Sequence, residues 1–118
     1  MSKQHVFNGT TTNATETKIG AMDVLSDTAV AFDITIMTHQ ASSAGFGSWN
    51  IRGMVKNVSG TTSDVGEIYE IIVHTDHDDW VVDARANNTD DTLDIFVQGT
   101  ASTTLHWTAY LNAVMQVI

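Results

Sequence analysis

The sequence predicts an all-β protein. Its expected form is an antiparallel β-sandwich, jelly-roll-like, with a polar N-terminal arm. Three observations carry that reading. Apolar residues recur at every second position through most of the chain, the period of a strand with one covered face. Clusters of Gly, Ser, Asn, Asp and Thr interrupt these runs at short intervals, as turns do between the strands of a sandwich or barrel. No stretch carries the 3.6-residue period of a long amphipathic helix.

Taken in order, residues 1–15 are expected to form the arm and residues 16–118 a single domain. "SKQHVFNGTTTNAT" holds one apolar pair, Val6 and Phe7, in a Thr-rich polar stretch. Those two residues are the candidate partner-binding anchor, and deletion of residues 1–15 is expected to weaken binding while leaving the domain folded. A weak strand is expected over about residues 16–23. In "AVAFDITIMTH", Val30, Phe32, Ile34 and Ile36 share one face and Ala31, Asp33, Thr35 and Met37 the other. In "SWNIRGMVKNV", Trp49, Ile51, Gly53 and Val55 point inward while Asn50, Arg52 and Lys56 point out. "GEIYEIIVH" is apolar on both faces and reads as a strand covered on both sides. Trp80, Val82 and Ala84 form the next inward set, followed by Leu93, Ile95 and Val97. The last run places Leu105, Trp107, Ala109 and Leu111 inward. "YLNAVMQVI" is the best helix candidate, but its β-branched end suits a strand better. All three tryptophans are in phase with core residues and read as core.

The length of 118 residues fits one domain. Apolar residues make up 42% and charged residues only 16%, so the surface is rich in hydroxyls and amides. Five Lys and Arg stand against 14 Asp and Glu, a formal charge of −9. Such a surface repels phosphate and argues against nucleic acid and anionic membranes as partners. With no cysteine there is no disulfide or thiolate metal site. No apolar run of a signal peptide or membrane span is present, so synthesis in a host cytoplasm is expected. The NGT, NAT, NVS and NNT triplets read as products of composition. Proline is absent.

"HTDHDDW", residues 74–80, is the stretch most like a reaction centre. As an EF-hand loop it fails: counted from Asp76, the fifth and sixth positions are Trp80 and Val81 and the twelfth is Asn87. His74 and His77 could hold a transition metal with one Asp, but the favoured reading is an acidic turn whose carboxylates bond their own backbone. The other acidic cluster, "NNTDD", falls at the opposite end of the intervening strand. "GFGSW", residues 45–49, is neither G-x-S-x-G nor G-x-G-x-x-G, because Trp49 and Asn50 stand where glycine is required. Nothing marks a facing carboxylate pair of the glycosidase kind. The expectation is a protein that is not an enzyme and uses no cofactor.

From Trp49 to Trp107 the chain resembles a family of phage virion structural modules. "SWNIRGMVKNVSGTTSDVG" matches a Gly/Ser loop, W-x-I-x-G-x-V-K, a short loop and V-G. "WVVDARANNTDDTLDIFVQGTASTTLHWTAYL" continues with a W-x-V-x-A-like strand, a hairpin, L-x-I-x-V-x-G and T-T-x-x-W-x-A. Leu105, His106 and Thr108 depart from the usual T-I-R-W-V-A ending. The match spans roughly residues 27–112 and brings no catalytic residues. It implies a small β-sandwich, often a homotrimer, in tail fibres or other parts of the particle. A chain starting at Met1 and holding only this module is expected to be a capsid decoration, or cement, protein. It would sit on the outer surface of the virion, bound to the major capsid protein or another virion protein. A ligand held only by the assembled shell would stabilise it by about 2.7 kcal/mol per site at one hundred times Kd. The alternative is a tail-fibre or tail-tip module binding a host surface glycan, which predicts an exposed aromatic near Trp80 or Tyr110.

Overall fold

The computed structural model describes all 118 residues, and every regular element is a strand. The strands are β1 (Ser2–Thr11), β2 (Thr17–Asp23), β3 (Thr28–Gln40), β4 (Phe46–Val58), β5 (Thr61–Asp64), β6 (Tyr69–Thr75), β7 (Val81–Asn87), β8 (Thr92–Gln98) and β9 (Leu105–Val117). They form two antiparallel sheets. The larger runs β1-β9-β3-β4-β5, with β6 also pairing along β4; the smaller runs β2-β8-β7. The fold is therefore an all-β sandwich, as the alternation predicts.

The periodic residues build its interior. Val30, Phe32, Ile34 and Ile36 of β3, Trp49, Ile51 and Val55 of β4, and Leu105, Trp107, Ala109 and Leu111 of β9 are buried on the inner face of the larger sheet. Val82 and Ala84 of β7 and Leu93, Ile95 and Val97 of β8 meet them from the smaller one, in a single cluster that also takes in Trp80. Trp49 and Trp107 stack with ring centroids 5.6 Å apart. The Trp107 indole N–H donates to Thr11 Oγ1 (2.9 Å) and that of Trp80 to Thr100 Oγ1 (3.0 Å), so both rings bury their area without stranding a donor. Gly47 makes room for Trp49: a Cβ there would lie 2.4 Å from the ring.

Turn chemistry closes the hairpins. Ser59 and Gly60, between β4 and β5, have φ of 52° and 86°, the two left-handed residues of the tight hairpin turn whose twist matches its strands. Buried Asn57 braces it, donating to the Val24 carbonyl (2.9 Å) and accepting from the Gly60 N–H (3.0 Å). Asp94, buried inside β8, accepts from Thr92 Oγ1 (2.7 Å) and Asn87 Nδ2 (2.9 Å) and lies 3.6 Å from Lys18 Nζ.

Two expectations need correction. Residues 2–11 are not an arm beside the domain. They form β1, paired residue for residue with β9 from Ser2↔Val114 to Thr11↔Leu105. The backbone groups of every second residue bond to a strand about a hundred positions away, a pairing that leaves no local mark in the sequence. Nor is β6 covered on both sides. Tyr69, Ile71, Ile72 and Val73 are all exposed, on both faces of the strand. The helix candidate at the C-terminus belongs to β9.

Candidate interaction surface

The outer face of the larger sheet spans six of the nine strands. Pairing register sets its rows. One runs Val6, Tyr110, Thr35, Asn50, Ile71 across β1, β9, β3, β4 and β6; the next runs Asn8, Thr108, Met37, Ser48, His74. Amides and hydroxyls alternate there with exposed apolar side chains, among them Val6, Met37, Tyr110 and Ile71. The polar members are locked together. Asn50 Nδ2 donates to Asp33 Oδ1 (2.7 Å), Arg52 Nε donates to Asn50 Oδ1 (2.9 Å), and Thr108 Oγ1 donates to Asn8 Oδ1 (2.9 Å). A shallow groove crosses this face, lined by Ser2, Gln4, Ala31, Asp33, Asn112 and Val114 among others. Side chains held this way present a fixed pattern, suited to recognition at low ordering cost.

The two anchor candidates point opposite ways. Val6 stands on this outer face, 60% exposed. Phe7 turns inward and packs against the core, its ring directly over Gly20 of β2, where a Cβ would meet it at 2.4 Å. Only Val6 is free to touch a partner. The sequence signal for the difference was present in their adjacency, since neighbours on a strand face opposite sides.

The 74–80 stretch is a structural turn. His74 Nε2 lies 2.8 Å from Asp76 Oδ1, while Asp76 Oδ2 accepts from the Phe46 N–H at 2.7 Å. The His77 ring packs on Trp80 at 4.5 Å. Asp79 Oδ2 accepts from Thr100 Oγ1, the same hydroxyl that receives the Trp80 indole proton. These carboxylates and rings splay apart, and no three His, Asp or Glu side chains gather around a common point. Elsewhere, His39 and His106 face each other across β3 and β9 with centroids 5.2 Å apart. On the outer side of the smaller sheet, Arg85 bridges Glu16 (2.7 Å) and Asp83 (2.6 Å) and lies 3.7 Å over the Phe96 ring. Glu16 is held below the ordinary carboxylate range by its hydrogen bonds to Arg85.

The Asp76 carboxyl is likewise held below its ordinary value, first by the Phe46 N–H and then by His74. A carboxyl depressed in the folded state adds stability above its unfolded pKa of about 3.9 and loses it as pH falls through the folded value. Asp76→Asn should therefore unfold at lower urea than the parent at neutral pH. The gap should close in strongly acid solution, and the effect should be small because the pair is in water. Parallel urea midpoints across that range check both the sign and the window.

Comparison with protein-family models and with curated proteins returns no match. Among solved structures, the chain is similar to the tailspike protein gp49 of Acinetobacter baumannii bacteriophage Fri1, a capsular polysaccharide depolymerase. Identity is 13% and the TM-score 0.40, over 99% of this chain and 19% of that one. It is also similar to the tailspike protein of Acinetobacter phage vB_ApiP_P1, with 12% identity and a TM-score of 0.35, over 99% of this chain and 22% of that one. The chain thus spans about a fifth of the length of each.

Proposed function

We propose that this protein is a non-catalytic structural module of a bacteriophage particle that acts by docking through the outer face of its larger sheet. The observation that carries the reading is that face: a continuous, hydrogen-bonded surface with exposed Val6, Met37 and Tyr110 and no convergent reactive groups. The virion motif pattern between Trp49 and Trp107 supplies the class of particle.

Within the particle, a tail-associated position is favoured over capsid decoration. The free N-terminal arm offered as a shell contact for the decoration reading is β1, paired with β9. The tail-associated reading asked for an exposed aromatic near Trp80 or Tyr110. Trp80 is buried, but Tyr110 is partly exposed in the middle of the face, among Thr35, Asn50 and Asn112. A ring set among amides and hydroxyls is the chemistry that receives a sugar, one face stacking and the rim bonding. Capsid decoration remains the second reading.

Gold-labelled antibody against this protein, applied to intact phage, tests the proposal. Label at the tail is expected. Label spread over the shell would return the decoration role, and particles that never carry label, with the protein absent from their composition, would overturn the virion reading. Tyr110→Ala, which leaves the core untouched, should abolish any glycan retention that the parent shows.

A further inference from the structure

The larger sheet ends in β1 on one side and, along the far side of β4, in β5 and β6 end to end, of which β6 is the longer. On β1, Met1 exchanges both backbone bonds with Met115, at 3.2 and 2.8 Å, and the register then runs to Thr11 without a shift. Antiparallel alternation therefore turns the N–H and C=O of Ser2, Gln4, Val6, Asn8 and Thr10 away from β9, toward open solvent. β6 pairs with β4 on one side only. Its Tyr69, Ile71 and Ile72 are 64%, 53% and 60% exposed. Proteins blunt such edges with proline, charge, bulges or cover. This chain has no proline, and a bulge disturbs the ladder only past Ile72, leaving Tyr69–Ile72 a regular edge whose single charge is Glu70.

The charges on the two edges are opposite. Residues 1–15 hold Lys3 and His5 and no acid, whereas β6 and its approach hold Glu67 and Glu70. Lys18, Arg52 and Arg85 make ion pairs within the chain; Lys3 and Glu70 make none. We propose that β1 of one copy pairs with β6 of the next, so that the larger sheet continues from molecule to molecule. Pairing like edges would set Glu70 near Glu70, and only the unlike pairing matches charge. Strand direction alternates through β1, β9, β3, β4 and β6, so β1 and β6 point the same way and meet in parallel. Faces then agree as well: Lys3 and His5 fall on the side of Glu70, and Val6 on the side of Tyr69 and Ile71. A head-to-tail contact of this kind closes into a ring when its rotation closes, which a three-fold assembly would satisfy. The inference does not depend on where the particle carries the protein.

Sedimentation equilibrium of the full chain tests it. The parent should form one discrete oligomer. Lys3→Glu and Glu70→Lys should each weaken association about tenfold or more, because like charges then face each other, and the double exchange should recover most of the loss. Ile71→Lys, on the exposed outer side, should also dissociate the assembly while its circular dichroism and melting stay parental. A parent that remains monomeric at high micromolar concentration would overturn the proposal. So would folded single variants that associate as the parent does, or a folded double variant that recovers nothing.

Discussion

A chain lacking residues 1–11 should lose most of its cooperative stability. The truncation removes Phe7 from its seat on Gly20, leaves the buried Trp107 indole without Thr11, and opens the inner edge of β9 along its whole paired length. Truncating a core aromatic costs about 3–5 kcal/mol, nearer the lower figure for a ring only partly buried like Phe7, and an orphaned buried donor costs about 1–3 kcal/mol more. Together these are a large part of the roughly 5–15 kcal/mol that holds a domain of this size. Point variants separate the contributions. Phe7→Ala should lower the melting temperature clearly, whereas Val6→Ala, on the exposed side of the same strand, should stay within about 0.5 kcal/mol of the parent. If the truncated chain melts as the parent does, residues 1–11 are an appendage after all.

Trp107→Ala should be the most damaging single substitution in the core. The ring is 1% exposed, stacks on Trp49 at 5.6 Å, and ties the inner face to β1 through Thr11. Its loss opens a cavity beside Trp49 and strands the Thr11 hydroxyl, at a cost of about 4 kcal/mol. For a domain of this length that corresponds to a fall of roughly 15 °C in the melting midpoint. Trp107→Phe keeps a ring against Trp49 and should recover most of the loss, missing the indole hydrogen bond. Thermal melts of the three proteins order the contributions: equal midpoints for the phenylalanine and alanine variants would place the stabilisation in the hydrogen bond rather than in packing.

The core was legible because it obeys a local rule. Trp49, Ile51 and Val55, or Leu105, Trp107 and Leu111, alternate within a single strand, and alternation needs no knowledge of the partner. β1 was misread because its inward positions include Lys3, His5, Phe7 and Gly9, where only one large apolar residue shows a period. What makes it a strand is β9, supplied from the other end of the chain. β6 was misread in the opposite sense. Apolar residues on both faces imply cover on both, and cover depends on which other elements lie over the strand, which no window of sequence contains. The polar braces were equally hidden. Asn57, Asp94 and Thr11 look like ordinary surface residues until distant elements bring them Val24, Asn87 and the Trp107 indole.

By itself the sequence determined the class of fold and which side of most strands is buried, since side-chain alternation is a property of each extended segment taken alone. It also determined the acidic, hydroxyl-rich character of the surface. Only the tertiary structure decided that the N-terminal residues belong to the sheet, that Phe7 is core while Val6 is free, and that an apolar strand stands at an open edge. Those outcomes depend on which segments become neighbours, and neighbours joined across a hundred residues are chosen by the energy of the whole sandwich rather than by any stretch of it.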